Sequence, residues 1–328
     1  MTINWPRFVE IVKQHQRFLL ISHIRPDCDA LGSQLGMAGV LDALGKDVRI
    51  VNGHAVPPNL AFIDPDKRIK QLGTDVQPES LADVEVIMIL DTSAWQQLGE
   101  MGPVIRNSNA LKLVLDHHVG EDDLGAELFK NTQAEATGRL VYEAAEQLGV
   151  PLNEAIANAL FAAVATDTGW FRFNSTTAYT YALAGKLVAA GANPTRIYHD
   201  LYEQDTLARL QLRGRILART QTELDGRLAH TAVLREDFEA TGALASDTED
   251  VVNLTLAVKG VEVAVILVEQ ATGGFKISFR SRTAAVDCSK LASSFGGGGH
   301  KAAAGAFVPG TFEEAQAKVL DAVRAAMR

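Results

Sequence analysis

Cysteine is almost absent: 328 residues carry two, Cys28 and Cys288, which excludes a disulfide framework. No apolar run approaches the roughly 20 residues needed to cross a bilayer, so no membrane partner is expected. The first residues, Met-Thr-Ile-Asn-Trp-Pro-Arg, lack the basic-then-apolar order of a secretory signal, and a cytoplasmic location follows as the expectation. Positive charge is also short. Lys and Arg total 31 against 40 Asp and Glu, for a net charge of -9. A long nucleic acid needs a basic track to displace counterions from many phosphates; this balance points instead to nucleotides or very short oligonucleotides. There is no internal repeat and no low-complexity tract.

What is present is the composition of an ordinary globular chain, 47% hydrophobic and 22% charged, long enough for about two domains of roughly 150 residues. In the first half, short apolar runs at 18–22, 48–51, 84–90 and 111–115 alternate with helical patterns at 31–44, 137–147 and 153–165. Continuous apolar runs of that length read as strands buried on both faces, and their alternation with helices reads as a parallel sheet. Residues 194–223, rich in Leu, Arg, Gln and Glu, predict one long connecting helix. Beyond it come strand patterns at 228–234, 261–268 and 275–279, and an amphipathic helix at 311–327. The expected fold is α/β: a parallel-sheet domain over 1–190, a helical linker over 191–225 and a smaller α/β domain over 226–328.

The most informative stretch is Ile21-Ser-His-Ile-Arg-Pro-Asp-Cys-Asp29, which closes the first apolar run with His23, Asp27 and Asp29. Open α/β sheets bind their ligands at the carboxyl ends of strands. The same event recurs: Asp91 follows Ile87-Met-Ile-Leu90, and Asp116-His117-His118 follows Leu113-Val-Leu115. Asp167, in Ala165-Thr-Asp-Thr-Gly169, ends an Ala-rich helical run. Singly, an Asp after a strand is often a helix N-cap, and a His pair can pack in a core. Repeated at so many strand and helix ends, the pattern is hard to explain that way. His23, Asp27, Asp29, Asp91, His117 and Asp167, with Asp116 and His118 beside them, are therefore candidate ligands for Mn²⁺, Mg²⁺ or Zn²⁺, and bridging carboxylates are the usual route to a dinuclear centre. Cys28 lies between two of them; an extended turn would aim its side chain away from theirs, and it is read as a packing residue.

The series His23-x3-Asp27-x-Asp29, Asp91, Asp116-His117-His118 and Asp167 resembles the four motifs of the DHH phosphoesterases. The contexts Pro26-Asp-x-Asp-Ala-Leu-Gly-Ser33 and Thr166-Asp-Thr-Gly169 match as well, so the resemblance spans residues 20–170. Relatives often carry glycine where Cys28 stands. The resemblance implies two divalent ions, with Mn²⁺ the family expectation. His23, Asp27 and Asp91 would hold one; Asp29, Asp91, His117 and Asp167 would hold the other, Asp91 bridging. Two ions about 3.5–4 Å apart can clamp the attacking and leaving oxygens of an in-line displacement. Asp116 would orient the site from behind the ligands, and His118 would face the substrate as a charge stabiliser or proton donor. Arg25 is a candidate phosphate contact.

Phe295-Gly-Gly-Gly-Gly-His300 is the second feature. Consecutive glycines tolerate positive φ and expose backbone N–H groups, which suits an anion-binding nest, and His300 and Lys301 add donors. With Lys276-Ile-Ser-Phe-Arg-Ser281, the run resembles the DHH-associated C-terminal domain over about 225–328. That resemblance implies that Arg280, Ser281, His300 and Gly297, Gly298 and Gly299 grip the far end of the substrate, across an interdomain cleft from the metals. Guanidinium binds phosphate bidentately, which suits Arg280; Arg282 is expected on the opposite face of the strand. The histidines at 15, 54, 199 and 230 show no partner pattern and read as surface or packing residues.

Within the family, length and two-domain layout are similar to the group that cleaves short RNA oligonucleotides to mononucleotides and converts 3′-phosphoadenosine 5′-phosphate (pAp) to AMP. Hydrolysis of linear or cyclic dinucleotides such as pApA or c-di-AMP is the nearest alternative. A RecJ-like single-strand exonuclease follows, disfavoured by the missing basic track. The Arg-Lys-Lys cluster of the related family II pyrophosphatases is absent. A nucleotide-binding regulator without catalysis belongs to a different class, but every ligand position is filled. Assembly as a homodimer is compatible with the sequence, though no residue argues for it.

Overall fold

In a computed structural model, which describes residues 3–120, 122–249 and 251–328, the chain divides into two units, Met1–Gln204 and Asp205–Arg328. In the first, β1 (Arg17–Ile21), β2 (Asp47–Asn52), β3 (Ile69–Gln71), β4 (Val86–Leu90), β5 (Leu111–Asp116) and β6 (Glu127–Lys130) form, among the described residues, a six-stranded sheet ordered β3-β2-β1-β4-β5-β6. Every pairing is parallel. Successive side chains of a strand point to opposite faces, and here both faces are cores. Phe18, Leu20, Met88 and Leu115 pack with Leu31, Leu140 and Leu160 of the helices Cys28–Ala43, Thr137–Leu148 and Glu154–Asp167. Leu19, Ile21, Ile89 and Val114 pack on the other side with Leu98, Met101 and Ile105. This double burial is why the strands read as unbroken apolar runs.

The strand order reverses between β1 and β4, which makes their carboxyl ends the switch point where an open parallel sheet leaves room for a ligand. A second device sharpens the location. A Cβ at Gly32, Gly36 or Gly39 would collide with the Ala159 carbonyl, the Leu160 side chain or the Ile156 side chain respectively. The helices Cys28–Ala43 and Glu154–Asp167 therefore touch at near-backbone distance and run in opposite senses. The start of one, with Asp29, lies beside the end of the other, with Asp167.

In the second unit, the helix Leu207–Ala218 precedes β7 (Gln221–Glu223), β8 (Leu228–Val233), β9 (Val263–Glu269), β10 (Phe275–Ser281), β11 (Gly298–Gly299) and β12 (Ala303–Val308). Among the described residues these form a mixed sheet ordered β11-β12-β10-β9-β8-β7. The β8–β9 pair is parallel and the others antiparallel. Val263, Val265 and Leu267 face Val319 and Val323 of the helix Phe312–Ala326, while Ala264, Ile266 and Val268 face Leu212 and Ile216. The α/β fold is as expected.

Some details differ. The single helix expected over 194–223 is two, Pro194–Tyr202 and Leu207–Ala218, because the Thr206 side chain accepts from the Arg209 amide and caps a fresh start. Short edge strands at β3, β6 and β7 were not anticipated, nor was β12, whose Ala303-Ala-Gly-Ala306 has weak strand preference. Among the described residues no helix is long and apolar enough to cross a membrane.

Candidate metal centre

The loop after β1 is tighter than an extended turn. The helix begins at Cys28, three residues before the expected start, with Asp27 as its N-cap accepting from the Ala30 amide at 3.0 Å. Asp29 thus projects from the first helical turn, and Cys28 is buried in it, its thiol pushed up to about 12 chiefly by burial. His23 stands before the turn. Its Nδ1 is 2.9 Å from the Ile24 carbonyl; a carbonyl only accepts, so Nδ1 carries a proton, and in the neutral ring Nε2 is the nitrogen with a free lone pair. His117 is fixed the same way, Nδ1 donating to the Ala134 carbonyl at 3.1 Å. Both rings therefore present Nε2 as a ligand atom, oriented from behind.

Asp91 leaves β4 with φ 64°, a left-handed conformation uncommon for a non-glycine residue and characteristic of functional positions. Its Oδ2 lies 3.4 Å from His23 Nε2 and its Oδ1 3.6 Å from His117 Nε2, so one carboxylate faces two histidines from different strands. The Thr137 hydroxyl donates to Asp91 Oδ1 at 2.9 Å. Asp29 accepts from the Thr137 and Gly138 amides at 2.7 and 2.9 Å and from the Ser33 hydroxyl at 3.1 Å. The helix Thr137–Leu148 has alanine at its N-cap and no side-chain cap of its own; Asp29 supplies that cap from another helix, and the helix N-terminus favours its negative charge. Neither Thr137 nor Gly138 was singled out from the sequence.

Among the described residues three groups of side chains come close enough to share an ion, two of them being His23, Asp27 and Asp91, and Asp29, His117 and Asp167. His23 Nε2 is 3.9 Å from Asp27, and His117 Nε2 is 3.8 Å from Asp29 and 3.5 Å from Asp167. These separations exceed a hydrogen bond. They fit atoms that share one ion, since ligands about 2.1 Å from a metal lie about 3–4 Å from one another at ordinary coordination angles. Electrostatics agree. Burial pushes Asp29 up and Asp91 well up, the latter with Asp29 adding repulsion, and Asp167 is raised to about 6 by burial and then by Asp29. Carboxylates so arranged resist ionisation until a cation joins them. The residues fit a divalent metal.

Asp116 does something else. It is fully buried and accepts from the His118 Nδ1 at 2.8 Å and the His118 amide at 3.1 Å. The Ser93 hydroxyl is 2.8 Å and Lys130 Nζ 3.3 Å from its other oxygen. Burial is the largest influence and raises its pKa, but these donors together hold it at about 2. The bond to Asp116 in turn raises His118. Although His118 falls in a possible ligand group with Asp91 and His117, its Nδ1 is committed to Asp116, so its half-exposed ring offers Nε2 as a donor. Ser93 and Lys130 gave no sequence signal, one lying in a loop and the other ending an edge strand.

Arg25 is exposed between His23 and Asp27 with φ 54°. The second unit holds the other candidates. Arg280 lies on β10 on the face opposite the buried Phe279 and Ser281. The period of two makes Ser281, and not Arg282, the residue opposite Arg280; the Ser281 hydroxyl donates to the Thr283 carbonyl at 3.0 Å. The glycine run is no open nest. Gly298 and Gly299 pair with Gly305 and Ala304 as an edge strand, and the Gly297 and His300 amides donate to Ala292 and Ala303 at 2.8 Å each. A Cβ at Gly299 would come within 2.6 Å of Ala304 Cα, so close approach of two strands is what glycine permits there. His300 is exposed beyond the strand.

Comparison with known proteins gave consistent matches. Residues 17–164 match the DHH family, N-terminal domain, and residues 229–328 match the DHHA1 domain. The chain is similar to the bifunctional oligoribonuclease and PAP phosphatase NrnA of Thermus thermophilus, at 31% identity over 93% of this chain and 88% of that protein. It is similar to the protein of the same name from Bacillus subtilis at 26% identity over 92% of each. Among solved structures, an exopolyphosphatase-related protein from Bacteroides fragilis superposes with a TM-score of 0.86 at 28% identity, covering 98% of this chain and 95% of that one.

Proposed function

Because the chain belongs to the DHH family, with a DHHA1 domain after its DHH domain, we propose that it is a metal-dependent phosphohydrolase that cleaves short RNA oligonucleotides to mononucleotides and converts pAp to AMP. The relatives named for oligoribonuclease and PAP phosphatase activity support this substrate class. The observation that carries the chemistry is Asp91, whose two oxygens face His23 and His117 at 3.4 and 3.6 Å.

In this reading His23, Asp27 and Asp91 hold one ion and Asp29, Asp91, His117 and Asp167 a second, with Mn²⁺ in both. Such ions, when bound, supply Lewis acidity at the phosphoryl oxygens and a more acidic water. The protein's own groups do the rest. In the neutral rings of His23 and His117 the backbone carbonyls hold the proton on Nδ1, which leaves Nε2 as the ligand atom;. His118, whose affinity for a proton the bond to Asp116 raises, gives its Nε2 proton to the oxygen that leaves the phosphorus;. Arg25 contacts the scissile phosphate. Arg280 and His300 bind the remote end of the substrate, with Gly297, Gly298 and Gly299 providing the narrow edge that carries His300, and Ser281 shaping the strand end from which Arg280 projects.

The test is turnover with Mn²⁺ of pAp, a 5′-labelled RNA trinucleotide and a long single-stranded DNA, each with an EDTA control. EDTA-sensitive hydrolysis of the first two with the DNA intact is expected. Preferential digestion of the long strand would overturn the short-substrate reading, and binding without turnover would overturn the enzyme.

A further inference from the structure

Directly after Asp167 the backbone leaves the helix in an uncommon conformation. Gly169, Trp170 and Phe171 are all left-handed, at φ 56°, 59° and 63°, and two of the three are bulky aromatics for which that region is costly. The result is a row of rings. Trp170 meets Phe171, Tyr198 and Tyr202 with centroids 6.3, 4.9 and 5.8 Å away, and Phe171 stacks on Tyr181 at 5.6 Å with planes 23° apart. The inner rings are partly buried against the core. The outer ones are not: Tyr181 is 60% exposed, Phe173 54% and Tyr202 48%. Any Cβ on Gly169 would strike the Phe173 ring, so that ring lies over the backbone two residues from Asp167. The row therefore begins at the ligand loops and ends in solvent. Arg172, exposed, donates its Nε to the Gly169 carbonyl at 2.7 Å, which fixes the guanidinium beside the rings and leaves its terminal N–H groups for an anion.

Exposed ring faces in series, with a fixed guanidinium beside them and a phosphoesterase centre at one end, match the chemistry of single-stranded nucleic acid: bases stack on rings and phosphates meet Arg. We propose that Phe173, Tyr181 and Tyr202, with Arg172, form a stacking platform on the metal-bearing unit for the nucleotides of an RNA substrate beyond the one attacked. The inference rests on the hydrolase reading above and adds a determinant of substrate length to it. A core-packing role for Trp170 and Phe171 is compatible with the platform, since those two hold the outer rings in place.

The experiment compares KM for pAp, which has one base, with KM for an RNA trinucleotide in Tyr181→Ala, Phe173→Ala and Tyr181→Phe proteins with Mn²⁺. Loss of one base–ring stack corresponds to roughly 5- to 150-fold, so the ratio of trinucleotide KM to pAp KM is expected to rise about tenfold or more in both alanine variants. Tyr181→Phe, which keeps the ring, holds the parent ratio. A parent ratio in both alanine variants, or a parallel loss with both substrates, overturns the platform and leaves the hydrolase reading standing. Failure of the parent protein to hydrolyse either substrate overturns the hydrolase reading and the platform with it.

Discussion

Thr137 ties two carboxylates of the centre together by different means, and replacing it with valine separates them. Its hydroxyl donates to Asp91 Oδ1 at 2.9 Å and its amide to Asp29 Oδ2 at 2.7 Å, and the residue is fully buried. Valine has nearly the same shape, so no cavity opens, and the amide contact survives because it belongs to the main chain. What is lost is one hydrogen bond to a carboxylate, worth about 1.5–3 kcal/mol, or about 10- to 150-fold in an equilibrium constant. Partners behind metal ligands cost about 10–100-fold in affinity when removed, which is the same range. We expect Thr137→Val to weaken Mn²⁺ binding by about that factor in calorimetry. Hydrolysis of pAp should fail at limiting Mn²⁺ and recover in excess. Thr137→Ser, which keeps the hydroxyl, should behave as the parent. Without metal, burial pushes Asp91 toward its neutral form, and the neutral acid depends less on a donor; the melting temperature in EDTA should therefore change little. Mn²⁺ affinity within twofold of the parent in Thr137→Val would refute the reasoning.

Three further outcomes follow from the same geometry. Gly138→Ala places a Cβ 2.6 Å from that of Ala163 and 3.4 Å from Asp29 Oδ1; overpacking of about 1–3 kcal/mol outweighs the roughly 1 kcal/mol gain in helix propensity, and a variant melting at or above the parent would contradict this. Asp167→Asn removes a charge from a helix C-terminus crowded by other carboxylates, so the EDTA form should melt higher, by about 2–4 °C per kcal/mol relieved, while the further rise on adding Mn²⁺ shrinks. An undiminished Mn²⁺ response would remove Asp167 from the ligand set. If Arg280 binds the remote end of the substrate as proposed, Arg280→Ala should raise KM for pAp by roughly tenfold or more through lost charge-assisted hydrogen bonds and leave kcat near the parent value; a fall in kcat at constant KM would assign it to the chemistry instead.

The candidate ligands were legible as a set because polar residues recur at the ends of apolar runs, Asp91 after Ile87–Leu90 and Asp116-His117 after Leu113–Leu115, although each one alone reads as readily as a helix cap or a core residue;. The supporting residues were not. Thr137 opens a helix, where threonine is unremarked, and its partners Asp29 and Asp91 lie 108 and 46 positions away in sequence. Lys130 ends an edge strand of four residues, too short to show a pattern. The glycine run misled because consecutive glycines are permissive: they allow a nest, but they also allow a strand to approach β12 more closely than any side chain would permit. Only the pairing of Gly298 with Gly305 decides between the two. The expected helix at 194–223 failed for a local reason as well, since Thr206 caps as readily as it continues a helix.

The electrostatic plan of the centre explains why these invisible contacts matter. Asp27, Asp29, Asp91, Asp116 and Asp167 converge with few neighbouring cations, and each meets the cost of its charge differently. Asp27 stays largely exposed and caps a helix. Asp29 borrows the N-terminus of a second helix, and Asp116 is surrounded by donors that hold it ionised at about 2 despite complete burial. Asp91 and Asp167 have the least compensation, one with a single hydroxyl donor and the other at a helix C-terminus, where the dipole disfavours an anion. They are held above the ordinary carboxylate range, and burial raises Asp29 as well despite its amide donors. A site balanced in this way keeps the helper carboxylate charged in every state and leaves the least compensated ones dependent on an added cation. The same imbalance separates Asp116 from the candidate ligands: its donors already satisfy it, so its charge is spent on His118, and the demand for a cation falls on the raised carboxylates Asp29, Asp91 and Asp167.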